Sequence, residues 1–365
     1  MVTRPSTRSL MIAAAVVVAV IASVVVAFRF MSDEGPQQGP RRPGPADIPS
    51  VAQPVPCDLM AAPDGDDDAD GSTDRPFRTA QQLMQSLQPG QTGCLATGEY
   101  TGGLQLDSGG SDGRPITLAA ADPTEERPRL LGRIVIEDSA NDVVISGLNL
   151  NGRNDDKLPS PTINGDNVVL RGNDISNDNF GICVNLGHPS FGTAVGTVIQ
   201  NNRIHNCGEY PVTNLEHGIY VGTARDTTIE GNLIYDNADR GIQLYPDAQR
   251  TRITHNVIDG NGTGVIFSGS DGTVSSDNYV ADNIISNSQR YNIDAFWGDD
   301  EVGTDNVVEN NCLWGAGIAE ISEEPGFTAQ SNIIVDPEFV DRDSAQFRVQ
   351  AGSPCSGRTP GWMAS

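Results

Sequence analysis

The feature that most constrains the fold of this chain is an internal repeat built around one asparagine per copy. Segments of the form apolar-x-x-Asn-x-apolar recur, for example VVLRGNDI from residue 168 and FTAQSNII from residue 327. The Asn position is held by Asn173, Asn202, Asn232, Asn256, Asn283, Asn311 and Asn332, and by Leu148 in the first copy. Successive copies are 21 to 30 residues apart. Self-similarity at this period is typical of solenoid folds, in which stacked repeats share a continuous core.

A second short apolar strand follows several of the Asn positions. These strands read GICV from 181, GIYV from 218, GIQL from 241 and GVIF from 264, with a degenerate copy, NIDAF, from 292. No helical period occurs between them, and glycine is frequent, with 40 residues. The pattern therefore predicts an all-β chain, a single-stranded parallel β-helix of about eight to ten coils. The recurrent asparagines are expected to stack and to hydrogen-bond through their amides from coil to coil.

The ends of such a rod expose strand edges that must be covered. The segment RTAQQLMQSL, residues 78–87, has apolar residues at helical spacing, and Thr79 stands where an N-cap belongs. We therefore expect a short helix that caps the N-terminal end of the β-helix.

The N-terminal region predicts a membrane anchor. Residues 10–28 form an unbroken apolar run of 19 residues, long enough to span a bilayer as a helix, and Arg4 and Arg8 precede it. The sequence thus divides into a cytoplasmic N-terminus (1–9), a transmembrane anchor (10–28), a Pro/Gly-rich linker (29–56), a β-helix domain (57–357) and a tail (358–365). We expect a single-pass membrane protein with its C-terminal domain outside the cytoplasm. The alternative is secretion after cleavage of a signal peptide.

Six cysteines all lie after the linker, which favours disulfides in an oxidising compartment. Of the 15 possible pairings of six cysteines, we favour pairs of neighbours along the chain. These are Cys57 with Cys94, Cys183 with Cys207, and Cys312 with Cys355.

The charge excludes one class of partner. The net charge is −25, and a protein this acidic is a poor candidate for nucleic-acid binding, which needs cations that displace phosphate counterions. We expect a monomer that does not bind nucleic acid.

Two segments resemble a known family. DADGSTDRPFRTAQQLMQSLQPGQTGCLATGEY (68–100) is similar to the entry segment of secreted right-handed parallel β-helix proteins, and DPEFVDRDSAQFRVQAGSPCSG (336–357) to their closing segment. With the Asn repeats, the resemblance to this pectate-lyase-like family covers about 300 residues. It implies a right-handed coil and a carbohydrate partner, an acidic polysaccharide or cell-envelope glycan bound along one face.

The resemblance does not supply catalytic residues. Lys157 is the only lysine and lies in a loop, outside any lyase-like motif. The Asp-Asp, G-H-G and R-I-K motifs of polygalacturonases and the D-P-H-D motif of mannuronan epimerases are absent. Candidates must therefore come from the residues of this chain.

The two best coils place a group of polar side chains together. Aligning NLEHGIYVGT (214–223) with NADRGIQLYP (237–246) by their glycines places His217 over Arg240 and Tyr220 over Gln243. Alternation along the strands directs Tyr220, Gln243 and Tyr245 outward, and the same rule adds Cys183, Ile266 and Asp294 to this outer column. The loop from Cys207 to Leu215 is expected to form one wall of a groove beside them.

The chemistry of this group suits a uronate. Arg240 is expected to pair with the sugar carboxylate, His217 to remove the C5 proton, and Tyr220 to donate a proton or stack on the ring. We predict substrate contacts from Glu216, Asp239, Gln243, Tyr245 and Asp294. The alternative for this group is an ion-pair network with a purely structural role.

One segment imitates a calcium loop. Asp66, Asp68 and Asp70 precede Gly71 at the spacing of an EF-hand, but the twelfth position is Phe77 where an EF-hand has Glu. These three residues are our candidate ligands for Ca²⁺, the one cofactor considered. The alternative is a solvated acidic loop.

Three functions follow from the sequence. The first is a polysaccharide lyase or epimerase, acting on a uronate-containing polysaccharide by β-elimination or C5 epimerisation. The second is a non-catalytic β-helix that binds glycan or cell-envelope material. The third is a two-carboxylate glycoside hydrolase that uses, for example, Asp239 with Asp247 or Asp294.

Overall fold

The computed structural model describes residues 56–363 except residues 112, 271, 299 and 300. This part of the chain is a parallel β-helix in which each complete coil contributes one strand to each of three parallel sheets. We name them sheet 1, sheet 2 and sheet 3, in the order in which a coil passes through them.

The asparagine repeat gives sheets 1 and 2. Sheet 1 consists of Leu59–Ala61, Thr92–Leu95, Ile116–Ala120, Val143–Ser146, Val169–Arg171, Val198–Gln200, Thr228–Glu230, Arg252–Thr254, Tyr279–Ala281, Asn306–Glu309 and Phe327–Gln330. Sheet 2 consists of Glu99–Tyr100, Arg129–Leu131, Asn149–Asn151, Asp174–Ser176, Arg203–His205, Leu233–Tyr235, Val257–Asp259, Ile284–Ser286, Cys312–Trp314 and Ile333–Ile334. The repeat asparagines lie at the corner between these two sheets.

The strands that follow a glycine, or Asn in the degenerate copy, form the second half of sheet 3. The sheet consists of Leu104–Leu106, Ile134–Ile136, Thr162–Ile163, Val184–Leu186, His217–Arg225, Arg240–Gln249, Thr263–Ser270, Tyr291–Phe296 and Ala319–Ile321. Ala194–Val195 pairs with His217–Arg225, and Thr273–Val274 pairs antiparallel with Thr263–Ser270. The strands from residue 217 to residue 270 are the longest of the sheet and carry the candidate site.

The predicted asparagine ladder is confirmed. From Asn173 to Asn332, each side-chain amide donates to the Oδ1 of the next asparagine, over 2.9 to 3.1 Å. Leu148, which takes the position in the first copy, instead donates its backbone N–H to Asn173 Oδ1. Each interior Oδ1 also accepts the backbone N–H of the preceding asparagine, so the ladder satisfies buried polar groups at every corner.

Two shorter ladders were not predicted. Asn237 donates to Asn261 over 2.9 Å at the corner that leads into sheet 3, and Asn278 donates to Asn306 over 2.9 Å at the corner that leads into sheet 1. The Asn237–Asn261 ladder fixes the backbone immediately before the candidate site.

One α-helix, Ala80–Ser86, lies within the segment where a helix is predicted. The Thr79 side chain accepts the N–H of Gln82, as an N-cap does, and Leu83 and Met84 are buried. Its function as a cap over the end of the rod stays a prediction.

A C-terminal segment packs along the outside of sheet 2. It contains the hairpin of Phe339–Asp341 with Gln346–Val349 and the 3-10 turns Arg342–Ser344, Ser356–Arg358 and Gly361–Met363. This segment and sheet 2 form a second apolar core, made of Leu233, Tyr235, Val257, Ile284, Cys312, Ala345, Phe347, Cys355 and Met363. Met363 is buried there, so the residues after 357, which the sequence analysis assigns to a tail, continue to pack on the β-helix.

The three predicted disulfides are confirmed. Cys57 is bonded to Cys94, Cys183 to Cys207, and Cys312 to Cys355. The first joins the residue two positions before Leu59–Ala61 to the strand Thr92–Leu95, and the last attaches the C-terminal segment to sheet 2.

Within the described residues, no helix combines the length and the apolar character needed to cross a bilayer. The predicted cytoplasmic N-terminus, the anchor at residues 10–28 and nearly all of the linker at 29–56 lie outside the described residues.

Candidate functional site

The predicted alignment of the two central coils is confirmed in the register of sheet 3. His217 pairs with Arg240 and Tyr220 with Gln243 in adjacent parallel strands. The alternate residues Ile219 and Ile242 are fully buried in the core, as alternation predicts.

The alternation of the strand breaks at Gly218, next to His217. A Cβ placed on Gly218 would lie 2.8 Å from Asn237 Nδ2 and 3.2 Å from the Ile234 side chain, both of which are buried. Position 218 therefore faces the interior and has no room for a side chain there. The preceding residue, His217, stacks on the outer residue Tyr220, with ring centroids 5.4 Å apart and planes 10° apart, so its imidazole lies outside the core.

Asp239 is the centre of the charged part of the site. Its carboxylate is completely buried and forms ion pairs with Arg240 through Oδ2 and with Arg290 through Oδ1. Its Oδ2 also lies 4.0 Å from His217 Nδ1. One carboxylate thus contacts two guanidinium groups and approaches the imidazole.

The surroundings of His217 favour its neutral form. Burial lowers the pKa of His217 well below its usual value, and the charges of Arg240 and Arg290 lower it further. Neither ring nitrogen makes a hydrogen bond of ordinary geometry to any residue that the structure describes. The imidazole is therefore in its neutral form at neutral pH.

Arg240 and Tyr220 keep their protons at neutral pH. Burial lowers the pKa of Arg240 to about 9, so its guanidinium remains charged. Burial raises the pKa of the Tyr220 hydroxyl, and Tyr245 raises it further. Burial also raises the pKa of Asp294 above the usual value for an aspartate.

Two tyrosines form the outer part of the site. Tyr220 and Tyr245 meet edge to face with centroids 6.2 Å apart, and both are half-buried. The Tyr245 hydroxyl donates to Ser270 Oγ over 2.8 Å. The register shifts between Val221 and Thr223, and as a result Tyr245 lies in the bulge that faces Gly222.

The register confirms part of the predicted outer column, the line from Tyr220 through Gln243 and Ile266 to Asp294. Gln243 pairs with Ile266, and Ile266 pairs with Asp294. Cys183 does not belong to it, because Val184, not Ile182, pairs with the core residue Ile219. The strands align by their core residues, which places Asn185 beside Tyr220.

The Glu216 carboxylate forms its hydrogen bonds within its own loop. Its carboxylate accepts the backbone N–H groups of Thr213 and Leu215 over 2.7 and 2.9 Å, and also the Thr213 hydroxyl. In the same loop, Asn214 Oδ1 accepts a hydrogen bond from Arg240 over 3.3 Å. The loop that was predicted to form a groove wall therefore contacts the site through Asn214. The carboxylates of Glu216 and Asp239 are already paired within the protein, so the geometry does not favour substrate contacts from either residue.

Arg290 is the site residue that the sequence analysis missed. It lies two coils from Asp239, and its backbone N–H donates to the Gly262 carbonyl in the intervening coil. Its Nε donates to Thr263 Oγ1 over 3.1 Å. The signal in the sequence was the degenerate strand that begins near residue 292, since extending it backward by two residues reaches Arg290.

A second group of ionisable residues lies on the outer face of sheet 2. Asp174 accepts from Arg203 over 2.9 Å and lies 2.8 Å from His205 Nε2, and both partners lower its pKa. Tyr235 stacks on His205 and packs against Phe347 of the C-terminal segment. Both oxygens of Asp174 are engaged in this network, which is typical of a structural ion-pair cluster.

The proposed calcium ligands form hydrogen bonds with the backbone of their own turn. Asp66 Oδ1 accepts the N–H of Asp68, and Asp70 accepts the N–H of Ser72 and pairs with Arg75. Across the described ranges, no group of three or more His, Cys, Asp or Glu side chains is arranged to hold a metal ion. This geometry favours the alternative of an acidic loop over a calcium loop.

The described residues have the fold of a right-handed parallel β-helix. The family model described as a right handed beta helix region matches residues 133–278, which include the central part of the site. No curated protein matches the chain.

Among solved structures, the chain is similar to the pectate lyase Pel9A, with a TM-score of 0.60 and 16% identity over 84% of this chain and 92% of that one. It is also similar to XylC in complex with xylose (TM-score 0.49, 13% identity, 72% and 69% covered) and to a rhamnogalacturonan lyase (TM-score 0.48, 13% identity, 82% and 94% covered). At 16% identity the likeness to Pel9A establishes the fold alone.

Proposed function

We propose that this protein acts on a uronate-containing polysaccharide at the outer face of sheet 3, by β-elimination or C5 epimerisation. The observation that carries the proposal is the stack of a neutral His217 on a protonated Tyr220, beside Arg240 and Arg290. This arrangement combines a base, a proton donor and cations, which are the three groups that both reactions need.

The cations make the first step possible. The C5 proton of a uronate becomes acidic only when the adjacent carboxylate is neutralised, since removal of the proton places charge on that group. Guanidinium groups match a carboxylate with two parallel hydrogen bonds. Here the guanidinium groups are held next to the imidazole by their shared partner, Asp239.

In the chemical step, His217 takes the C5 proton as a general base. In β-elimination, the electron pair left at C5 forms the C4–C5 double bond, and the C4–O bond breaks. The departing oxygen takes a proton from the Tyr220 hydroxyl, which the raised pKa keeps in place until this moment. In epimerisation, the C4–O bond stays intact and the Tyr220 hydroxyl gives its proton to C5 on the opposite face.

Because the His217 imidazole is completely buried, substrate binding would require the neighbouring loop to open. The imidazole is completely buried, whereas the neighbouring loop carries an exposed Leu215 and contacts Arg240 through Asn214. Opening of residues 208–215 would bring the imidazole into contact with the sugar, and reclosure would exclude water from it. The disulfide at Cys207 holds one end of this loop in place.

Gln243 adds a polar contact to the proposed site. Its Oε1 is buried and has no hydrogen-bond donor among the residues that the structure describes. It lies beside Tyr220 in the register of the sheet. A sugar hydroxyl that donates to this oxygen would satisfy it.

A second candidate is non-catalytic glycan binding. The observation that favours it is the burial of Asp239 between Arg240 and Arg290, because such a network also stabilises a fold without taking part in a reaction. In that case the half-buried Tyr220 and Tyr245 would stack on sugar rings.

The geometry does not favour the two-carboxylate hydrolase. Asp239 is fully paired, and Asp247 forms an ion pair with Arg225 over 2.6 Å, so neither carboxylate is positioned as an unpaired acid or nucleophile. Asp294, with its raised pKa, is then left without a second carboxylate for this mechanism.

We also propose that the β-helix lies outside the cytoplasm, attached through residues 10–28. Three disulfides within the described residues support an oxidising compartment. The long apolar run in the sequence supports the attachment.

The experiment that tests the function is a substrate panel. The full chain is incubated with polymers of galacturonate, glucuronate, mannuronate and guluronate, and products are followed by ultraviolet absorbance, reducing ends and proton NMR. We expect an unsaturated product that absorbs in the ultraviolet, or inversion at C5 detected by NMR. Reducing ends without absorbance would indicate a hydrolase, and binding without turnover would indicate the second candidate. Either result would contradict the proposed reaction.

A further inference from the structure

We propose that Arg290 is the residue that binds the uronate carboxylate, and that Arg240 lies behind it as a structural partner of Asp239. This inference rests on the proposed function, and it reverses the role that the sequence analysis gives to Arg240.

Accessibility separates the two arginines. The side chain of Arg240 is 5% exposed, and its Nη1 is engaged by Asp239 and Asn214. The side chain of Arg290 is 25% exposed, although it contacts the same carboxylate. A ligand that approaches the outer face of sheet 3 would therefore meet the guanidinium of Arg290 first.

Arg290 reaches Asp239 across a coil that packs tightly on the Asp239 main chain at Gly262. A Cβ on Gly262 would lie 2.6 Å from the Asp239 carbonyl oxygen and 2.8 Å from its Cα, so this position of the intervening coil admits no side chain. The ion pair between Arg290 Nη2 and Asp239 crosses the coil that contains Gly262.

Two hydrogen bonds fix the orientation of the Arg290 guanidinium. Nη2 is held by Asp239, and Nε donates to Thr263 Oγ1 over 3.1 Å. In the part of the chain that the structure describes, Nη1 has no protein acceptor. A planar guanidinium that is anchored on one side and open on the other is suited to hold a carboxylate in a defined orientation.

The two guanidinium groups share one directly paired carboxylate. Among the described residues, Asp239 is the carboxylate that forms ion pairs with both Arg240 and Arg290, and Glu216 is turned toward its own loop. Asp294 also acts electrostatically on both arginines, but in the described part of the chain it forms no ion pair with either. The carboxylate of a uronate would add a second directly paired anion.

The test compares two forms of the same ligand. Affinities of the full chain are measured by calorimetry for oligomers of galacturonate, glucuronate, mannuronate and guluronate, each as the free acid and as the methyl ester. Arg290→Gln should weaken binding of the free acid ten- to a hundredfold and change binding of the ester less than twofold, because only the acid carries the charge. Arg290→Lys should fall between the wild type and Arg290→Gln.

Control variants separate binding from folding. Arg250→Gln removes an exposed arginine paired with Asp226 and should leave both affinities unchanged. Thr263→Val removes the acceptor of Arg290 Nε without changing any charge and should weaken binding of the acid alone, by a smaller factor. This variant keeps the proposal testable if Arg290→Gln fails to fold, which thermal unfolding would show.

The possible failures are distinguishable. If the wild type binds none of the acids, the proposed function is wrong and this inference falls with it. If the wild type binds an acid and Arg290→Gln binds it equally well, the function stands and the role of Arg290 is wrong. Equal losses for acid and ester would assign Arg290 a structural role only and would also contradict the proposal.

Discussion

At the scale of single residues, the most informative group is His217. It is a neutral imidazole enclosed by Tyr220 and by the charges around Asp239. A histidine at the surface would lose or gain its proton near pH 6.5, whereas burial and two neighbouring guanidinium groups keep this one unprotonated. The site is therefore expected to retain its base at pH values where an exposed histidine would be protonated.

This state of His217 predicts a specific pH dependence. Because its pKa is lowered in the folded state, the unfolded chain binds a proton below about pH 6.5 that the folded chain does not bind. Stability should therefore fall as the pH drops through 6.5, and this group should contribute no pH dependence above that value.

The measurement is an NMR titration of the imidazole resonances from pH 8 to pH 5. We expect the His217 signals to stay in the neutral position throughout, while in the denatured chain all four histidines titrate near 6.5. A His217 midpoint near 6.5 in the folded protein would show that the electrostatic description of the site is wrong.

Which site residues the sequence could predict depends on distance along the solenoid. The pairing of His217 with Arg240 follows from one alignment of neighbouring coils. The ion pair of Arg290 with Asp239 spans two coils, so an alignment of neighbouring coils does not show it. Cys183 was misplaced because strands align by their core residues and not by the preceding glycine.

At the scale of elements, the asparagine ladder was predictable because one residue type recurs at one position. Each amide has a donor and an acceptor, so a stack of asparagines can satisfy itself over any number of coils. The ladder between Asn237 and Asn261 is only two residues long and leaves no periodic signal. It nevertheless supports the corner from which His217 turns outward.

The ladder predicts a difference between interior and terminal asparagines. Asn232 accepts from Asn202 and donates to Asn256 and to the Ile199 carbonyl, all fully buried. Asn232→Ala should lower the free energy of unfolding by about 3 kcal/mol, since it leaves several buried groups without partners.

The matched control is Asn332→Ala. Asn332 is the last member of the ladder and is partly exposed, so its loss should cost about 1 kcal/mol. Both values are measured by chemical denaturation. Equal effects of the two substitutions would show that the interior of the ladder contributes no special stability.

At the scale of the whole molecule, the C-terminal segment covers one side of the β-helix and leaves sheet 3 to the site. The sequence carried a signal for this packing in the residue after each repeat asparagine. That residue is polar in the early copies, as in Asp174 and Arg203, and apolar from Leu233 onward. The apolar residues face the second core beneath the C-terminal segment. This change from polar to apolar residues did not by itself predict that the C-terminal segment packs there. Alternation shows which residues face outward but not what lies against them.

The measurement that tests the central claim most directly is the turnover of the uronate panel by the wild type and by His217→Ala. The matched control is His255→Asn, which changes a histidine in the turn between sheets 1 and 2, where Asn tolerates the positive φ of 54°. We predict that the wild type and the control convert the same uronate polymer at equal rates. His217→Ala should lose about 99% of this activity or more, as expected for removal of a general base. Its thermal unfolding should still show a cooperative transition, as for a folded protein. Equal turnover by His217→Ala and the wild type would contradict the assignment of the reaction to this face of the β-helix.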